Sequence, residues 1–495
     1  MQIKMKRILL LLALIAYCFL FYKQSIGVNV LIFSIFIVAS IVALDRKVLQ
    51  SKNWLLVAAS VILTGVSATL YGNFLSLLGN ITALVLLANL TLNPQSSLIF
   101  TFFQGTLSFA TLPYFGLERI FDPKKNEPAV EPKADTEPYS FASFLKYFMP
   151  LLILVIFFFI YRASNPVFDT FIDNLNFDFI SWSFVGFAAF GFLLLYGFYY
   201  QEPFPKLFRK DQQSLNGLPL EINPNEHGIF KELHKEMSAA KMTFGMLNLL
   251  LLLVVLLDLN FIWSGKLNAP MDYSQYVHQG INSSIFSIII AIFVILYFFR
   301  GNLNRTADNK SVKYLALLWI AMNTVLLALC VHKNYTYIAE CGLTHKRIGV
   351  YIYIALTLVG LITTTVKILQ IKSNWYLVRF NFWSLFLTLV FSTTVNWNKV
   401  IIDYNSRFKS TVEREYYLFQ LTDASLPLLK QKWEKMPLSN DYYSTYFSVI
   451  ESDKIFERFL ELKVKQFCRE WENADWRSWN KEDERLYRAL KQLEK

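Results

Sequence analysis

Long apolar stretches separated by short polar breaks recur from the beginning of the chain to about residue 400. The stretches cover 8–22, 28–44, 54–71, 74–92, 98–117, 145–161, 179–200, 243–263, 281–299, 312–331, 349–371 and 378–395. Each approaches the roughly 20 residues that a helix needs to cross about 30 Å of hydrocarbon. Because backbone groups in lipid must bond internally and ten-residue alternation is absent, we expect an all-α, polytopic transmembrane helical bundle with about eleven to thirteen spans.

From residue 403 the pattern changes to amphipathic helices of balanced charge. In residues 454–472, for example, apolar side chains recur on one helical stripe. Residues 403–495 therefore predict a small soluble helical tail. Its tryptophans Trp471, Trp476 and Trp479 are expected to dock within the tail core or to anchor it at the membrane interface.

A proline-rich segment separates two membrane blocks. Residues 122–144 contain four prolines among alternating Lys and Glu, which is typical of an extended connection. The predicted organisation is an N-terminal transmembrane block (1–121), this linker (122–144), a main transmembrane block (145–402) and the tail (403–495). The first span imitates a signal peptide but lacks small residues at a cleavage site, so we expect a retained anchor.

Composition and charge agree with a membrane protein. Hydrophobic residues make up 54% of the chain and charged residues 17%, with a mean hydropathy of +0.36. A soluble domain carries about a quarter charged residues. The net charge of +11 comes from loops between spans, so it indicates the positive-inside pattern rather than nucleic-acid binding.

Loop charge predicts the orientation. The loops 201–242, 300–313 and 367–379 are basic, whereas 162–178 and 264–279 are nearly free of Lys and Arg. We therefore expect the linker to be cytoplasmic and the tail extracytoplasmic, in a multi-pass protein of a bacterial inner membrane. The first five spans give a parity conflict, and 98–117, interrupted by Gln104-Gly105 and Pro113, is the suspect for a partial crossing.

Asp258 is the most unusual residue within a span, since a charge in lipid is costly. A functional carboxylate and a hydrogen-bonded helix partner are both open interpretations. Lys367 lies near a cytoplasmic end, where snorkelling accounts for it. The intramembrane amides are more typical of interhelical contacts than of ligands. They are Asn80, Asn89, Asn248, Asn323 and Asn381.

The densest polar cluster comes from 273–280 and 337–347, which flank spans on one face. Gly342 resembles a helix stop, and Thr344 an N-cap for the next helix. We interpret the cluster as a set of polar contacts that hold neighbouring helices together, with a ligand or catalytic site as the alternative. The candidate site residues are Asp258, Tyr273, Tyr276, His278, Glu340, Thr344, His345 and Arg347.

Motifs for metal, cofactor or phosphate binding are missing from the sequence. The four cysteines show no metal-ligand spacing. We therefore expect no cofactor and no metal, and the sequence leans away from an enzyme.

Two stretches carry a resemblance, Tyr-Ser-Gln-Tyr-Val-His-Gln-Gly (273–280) and Glu-Cys-Gly-Leu-Thr-His-Lys-Arg (340–347). They resemble the signatures of domain-of-unknown-function family 4173, bacterial polytopic membrane proteins without an assigned activity. The similarity runs from about residue 163 through the last span and includes 403–405 and 421–429. It implies a short helical tail and no particular substrate. That family commonly has an acidic residue where this chain has Gln275, which argues against a working carboxylate there.

Three functions follow as hypotheses. The first is a scaffold, sensor or regulatory protein. Its partners would be the lipid bilayer and a membrane or periplasmic protein that binds the tail. The second is a secondary transporter of a small solute, which uses Asp258 and the intramembrane Asn residues. The third is an intramembrane transferase with His278, Glu340 or Asp258 as base at the outer face.

Overall fold

The computed structural model describes residues 2–108, 141–174, 181–200, 205–218, 232–264, 273–306, 309–407, 421, 423–435 and 452–493. Across these ranges the regular structure is helical and contains no β-strand, which confirms the all-α prediction. The predicted linker lies almost wholly outside the described residues, so its conformation stays a prediction.

The helices of the first half follow the apolar stretches closely. They are α1 (Gln2–Phe21), α2 (Val28–Leu44), α3 (Lys52–Tyr71), α4 (Phe74–Leu92), α5 (Leu98–Ser108), α6 (Phe141–Ser164), α7 (Pro166–Asn174), α8 (Trp182–Tyr199) and α9 (Pro205–Gln213). Short polar side chains start several of them: Ser51 caps α3 and Asn73 caps α4 by accepting a backbone N–H in the first turn.

The second half contains longer helices and then the tail. The membrane part comprises α10 (Leu233–Ser264), α11 (Tyr273–Phe298), the short α12 (Asn302–Arg305), α13 (Lys310–Cys341), α14 (His345–Leu369) and α15 (Asn374–Thr393). After it come α16 (Trp397–Asn405), α17 (Leu426–Lys435), α18 (Ser452–Glu472) and α19 (Lys481–Leu493).

Eight helices in the described ranges are long and apolar enough to cross a membrane. They are α3, α4, α8, α10, α11, α13, α14 and α15. Their outer surfaces are apolar as a bilayer requires; on α10, Leu249 is 70% exposed and Leu250 is 58% exposed. The protein is therefore a multi-pass membrane protein.

Two hydrophobic cores hold the bundle together. The main core joins α10, α11, α13 and α14 around Phe244, Phe299 and Leu361. The N-terminal core joins α1 to α4 with α8 and α15, and Trp54 and Phe386 are buried there. Thus α8 and α15, which follow the linker in the chain, pack with helices that precede it.

Contacts between helix ends define two faces of the bundle. We call the end that holds the α1–α2, α3–α4 and α13–α14 connections and the tail the tail face. Tyr71 at the end of α3 donates to the Thr394 carbonyl there, at 3.0 Å. The other end, here the opposite face, holds the α2–α3, α4–α5 and α14–α15 connections together with α9. There the Ser51 hydroxyl donates to the Pro94 carbonyl at 3.2 Å.

The described part of α5 is short. Its residues Leu98–Ser108 rise about 16 Å as an α-helix, roughly half of the hydrocarbon thickness. Residues 109–140 lie outside the described ranges, so the partial crossing of 98–117 stays a prediction.

Candidate functional site

Asp258 of α10 forms an ion pair with Lys333 of α13. The Lys333 Nζ donates to the Asp258 Oδ2 at 2.8 Å, and the two side chains are 7% and 15% exposed, respectively. Two opposite charges in a site of low polarity neutralise each other, which is how ionisable side chains are tolerated within spans. The second interpretation of Asp258, a bonded helix partner, describes this geometry.

The ion pair has polar neighbours on α11 and α13. Cys330, one turn before Lys333, is buried and hydrogen-bonded to Ser284 of α11. Three helices thus contribute a carboxylate, an ammonium, a thiol and a hydroxyl to one buried site.

Arg347, in the first turn of α14, lies closer to the tail face than the ion pair does and contacts α13 one turn beyond Lys333. Its guanidinium lies 4.0 Å from the centre of the Tyr337 ring, a cation–π distance. Its Nη1 donates to the Cys341 carbonyl at 2.9 Å and also to the Gly342 carbonyl. The guanidinium therefore binds the carbonyls that the end of α13 leaves without helical partners.

The α13–α14 turn forms as its sequence predicts. Gly342 ends α13 with φ 84°, a conformation that favours glycine. The Thr344 hydroxyl accepts from the Arg347 N–H at 3.3 Å, which confirms Thr344 as the N-cap of α14. Asn405 of α16 then clamps the turn: it receives the Leu343 N–H at 2.7 Å and donates to the Leu343 carbonyl at 2.9 Å.

The structure brings only part of the predicted cluster together. Lys333 and Tyr337 are one turn apart on α13, so the Asp258 ion pair and the Arg347 site are neighbours along that helix. His345 is exposed and bonded to Asn398, and Glu340 is exposed on the last turn of α13. Tyr273, Tyr276 and His278 belong to α11, but their side chains lie outside the described part of the structure.

Sequence reasoning missed Lys333, Asn334 and Asn405. It ended the span at residue 331, whereas α13 continues to Cys341. The available signal was the polar series Cys330, Lys333 or Asn334, and Tyr337, which repeats at helical spacing.

Lys367 differs from its prediction. Instead of snorkelling to water, the side chain is fully buried, and its Nζ donates to the Phe299 carbonyl at 2.6 Å. The ammonium thereby caps the end of α11, where the helix dipole favours a positive charge.

Metal ligands do not cluster in the described part of the chain: no group of three or more His, Cys, Asp or Glu side chains is arranged to hold an ion. The chemistry shown by the site is charge neutralisation and carbonyl capping.

Comparison with known proteins corrects the resemblance drawn from residues 273–280 and 340–347. Assignment to family 4173 is wrong, because the chain matches a different family. The two stretches contain a helix stop, a cap and interfacial polar residues, which polytopic proteins need for geometric reasons and which therefore discriminate poorly between families.

No curated protein and no solved structure matches the chain. The family match covers residues 9–431, so it includes the bundle from Leu9 of α1 onward and the first part of the tail, and it ends within α17. On this match the chain belongs to the family described as Domain of unknown function (DUF4153).

Proposed function

We propose that the protein is a non-catalytic membrane scaffold or sensor, in which the tail couples a membrane or periplasmic protein partner to the helical bundle. One observation supports this proposal: at the same face, the tail contacts helix connections that belong to each of the two cores. A tail that served only as an anchor would need one such contact.

The first contact lies on the N-terminal side. The Trp479 carbonyl accepts the Val28 N–H at 2.9 Å, and the Ser478 hydroxyl bonds to Gln24 at 2.7 Å. Arg477 donates to the Phe19 carbonyl at the end of α1. These bonds hold the segment before α19 against the α1–α2 turn.

The second contact lies on the main-core side. Leu343 and Ile348, from the α13–α14 region, share a buried cluster with tail residues such as Leu429, Leu460 and Leu490. Each buried leucine contributes roughly 2 kcal/mol. With the Asn405 clamp, this cluster ties the tail to the helix pair that carries Lys333 and Arg347.

A partner that binds one position of the tail more tightly than another would stabilise that position. Because the tail contacts both the α1–α2 turn and the α13–α14 turn, the two turns would then move together. The orientation that we propose places the tail outside the cytoplasm, in a bacterial inner membrane. Its support is the basic character of the opposite face, where Arg46, Lys47, Arg209 and Lys210 are exposed.

Gly27 offers a test without deleting the tail. A Cβ on Gly27 would lie 2.5 Å from the Trp479 carbonyl oxygen, so Gly27→Ala must displace the 477–480 segment. Gly349→Ala is the matched control, because its Cβ would meet nothing within 4 Å. We expect in-cell crosslinking to recover the tail partner with wild type and Gly349→Ala, and to recover much less with Gly27→Ala.

Unchanged recovery with Gly27→Ala, and again after deletion of the chain beyond Asn396, would contradict the coupling role. The thermal midpoint of each glycine variant is measured in detergent. If the two midpoints are equal, a loss of crosslinked partner comes from displacement of the tail rather than from unfolding of the bundle.

A transporter is the second candidate, favoured by the buried Asp258–Lys333 pair. In a transporter the carboxylate would bind a cation or proton in competition with Lys333. The exchanged variant Asp258→Lys/Lys333→Asp restores the pair but inverts its direction. A transporter predicts loss of solute flux in this variant at normal abundance, and retained flux would remove Asp258 as the coupling group.

For the third candidate, a transferase, the described residues give no favouring geometry. The carboxylate of Asp258 is paired with an ammonium, and Glu340 lies apart from it on the last turn of α13.

A further inference from the structure

A cavity of about 510 Å³ opens at the opposite face, beside the N-terminal core. It lies between the beginnings of α3, α5 and α15 and the segment that follows α9. Asn53, Gln95, Ser97, Ser214 and Asn216 line its polar side. Its size falls in the range of ligand-binding cavities.

Asp211 and Arg379 build the rear of the polar wall. The Asp211 carboxylate is 3% exposed and accepts from the Ser97 N–H at 2.7 Å and from the Ser97 hydroxyl at 2.8 Å. Arg379 donates to the same carboxylate at 2.7 Å, to the Ser214 carbonyl at 2.6 Å and to Asn216 at 2.7 Å. These bonds fix the wall and join α5 to α15.

A second part of the lining is aromatic. Tyr376, Phe380 and Trp383 line the cavity and follow one another at i, i+4 and i+7 on α15. Because α15 is a membrane span, this wall descends from the interface into the hydrocarbon. Phe380 is 48% exposed, so the wall is open toward lipid.

Asp211 and Arg379 pair with each other, so the lining carries no net charge, whereas the surroundings of the cavity are basic. Three helices begin around the cavity, and a helix N-terminus carries partial positive charge. The Asp211 carboxylate compensates the partial positive charge at the start of α5. The partial positive charges at the starts of α3 and α15 have no carboxylate beside them in the lining. Exposed Arg209 and Lys210 precede Asp211, and the Lys372 Nζ lies 6.0 Å from the centre of the Tyr376 ring. Basic pockets between spans bind anionic lipid headgroups.

We propose that this cavity binds an anionic phospholipid of the bilayer. The headgroup lies against the Gln95, Ser97 and Asn216 side, and the acyl chains follow Phe380 and Trp383. A soluble anion would use the polar wall alone, whereas the cavity offers both walls at the depth where headgroup and acyl chain meet. The bound lipid bridges the N-terminal and main parts of the chain.

Gln95→Glu tests the headgroup site. Gln95 is exposed in the cavity, so the substitution adds a negative charge without removing a buried contact. We expect native mass spectrometry of the full chain in detergent to show phosphatidylglycerol binding weakened about fivefold, with phosphatidylcholine binding hardly changed. Gln50→Glu, exposed on the same face outside the lining, is the matched control and leaves both unchanged.

The apolar wall is tested by Phe380→Ala, which we expect to weaken phosphatidylglycerol as well. Soluble glycerol 3-phosphate should not displace the lipid. Equal binding of the two lipids, equal behaviour of Gln95→Glu and Gln50→Glu, or displacement by glycerol 3-phosphate would overturn the proposal. Thermal midpoints of the variants establish that each is folded.

Discussion

Charged side chains inside the bundle are held by groups from another segment of the chain. Lys333 binds Asp258, Lys367 binds the Phe299 carbonyl, and Arg347 binds the carbonyls at the end of α13. The carboxylate and carbonyl oxygens thus take the place of the water that would otherwise solvate the ammonium and guanidinium groups. A buried charge that loses its partner is strongly destabilising, whereas loss of both partners is tolerated.

The Asp258–Lys333 pair makes this testable. We expect Asp258→Ala to lower the free energy of unfolding by about 3 kcal/mol, because Lys333 stays buried without a counter-charge. The double variant Asp258→Leu/Lys333→Met should return to within about 1 kcal/mol of wild type. Denaturant unfolding in detergent measures both. Equal losses in the single and double variants would contradict a neutralising role.

Acidic residues of the tail predict its response to pH. Burial raises the pKa of Asp483, and the nearby Asp423 and Glu482 raise it further, while a hydrogen bond from Asn480 lowers it. A raised carboxyl pKa means that the folded tail holds this proton more tightly than the unfolded tail does. The destabilisation by Asp483 is therefore complete above the folded pKa and disappears as pH falls toward the ordinary value of 3.8.

We expect the tail to become more stable relative to Asp483→Asn as the pH is lowered from neutral toward 4. Asp475 acts in the other direction, since Arg477 lowers its pKa, and the comparison of wild type with Asp483→Asn cancels that contribution. Hydrogen exchange of α19 across this pH range measures the difference. A pH-independent difference would show that Asp483 titrates normally.

At the scale of helices, hydropathy locates the apolar part of each helix but not its ends. The spans 28–44 and 74–92 were predicted with the bounds that the structure has, since polar turns begin where those helices stop. By contrast, α10 begins at Leu233, nearly three turns before its apolar run, and α11 begins at Tyr273, about two turns before its own. Helical hydrogen bonding continues through polar residues once the helix leaves the hydrocarbon.

The sequence could not predict which side chains of the site bond to each other. Asp258 was recognisable because a carboxylate interrupts an apolar run. Lys333 was not assigned to it, since the pairing depends on how α10 packs on α13. Thr344 was predictable because capping is local, whereas the Asn405 clamp joins residues that are 62 positions apart.

The Asn405 clamp gives a prediction for the α13–α14 turn. Asn405→Ala leaves the Leu343 N–H and carbonyl without partners in a buried place, at a cost of about 2 kcal/mol. We expect hydrogen exchange of the Leu343 amide to accelerate about tenfold or more. Asn473→Ala, an exposed tail asparagine, is the control. Unaltered exchange at Leu343 would mean that α16 does not protect the turn.

For the whole molecule, the two faces have different characters. Helices α16 to α19 lie on the tail face, and the opposite face carries exposed Arg46, Lys47, Arg209 and Lys210, helix α9 and the cavity proposed to bind lipid. The N-terminal core includes α8 and α15, so the bundle does not divide at the linker into separate halves. This arrangement follows from packing between distant segments, which neither hydropathy nor loop charge reports.

Labelling of introduced cysteines tests the faces and their orientation. In a chain whose native cysteines are replaced, we expect an impermeant maleimide to label Ala474→Cys in right-side-out vesicles. Gln213→Cys should react only in inverted vesicles, since it belongs to exposed α9 on the opposite face. Reaction of both from one side would contradict the two faces, and the reverse pattern would contradict the charge-derived orientation.

The contact between Arg477 and Phe19 joins residues that are 458 positions apart. During synthesis at about 5–20 residues per second, the α1–α2 turn must wait roughly half a minute to a minute and a half for this partner. All the spans have been translated by then. A segment translated after the spans thus covers the α1–α2 turn, and a chain terminated before Arg477 would leave that turn open to quality-control proteases.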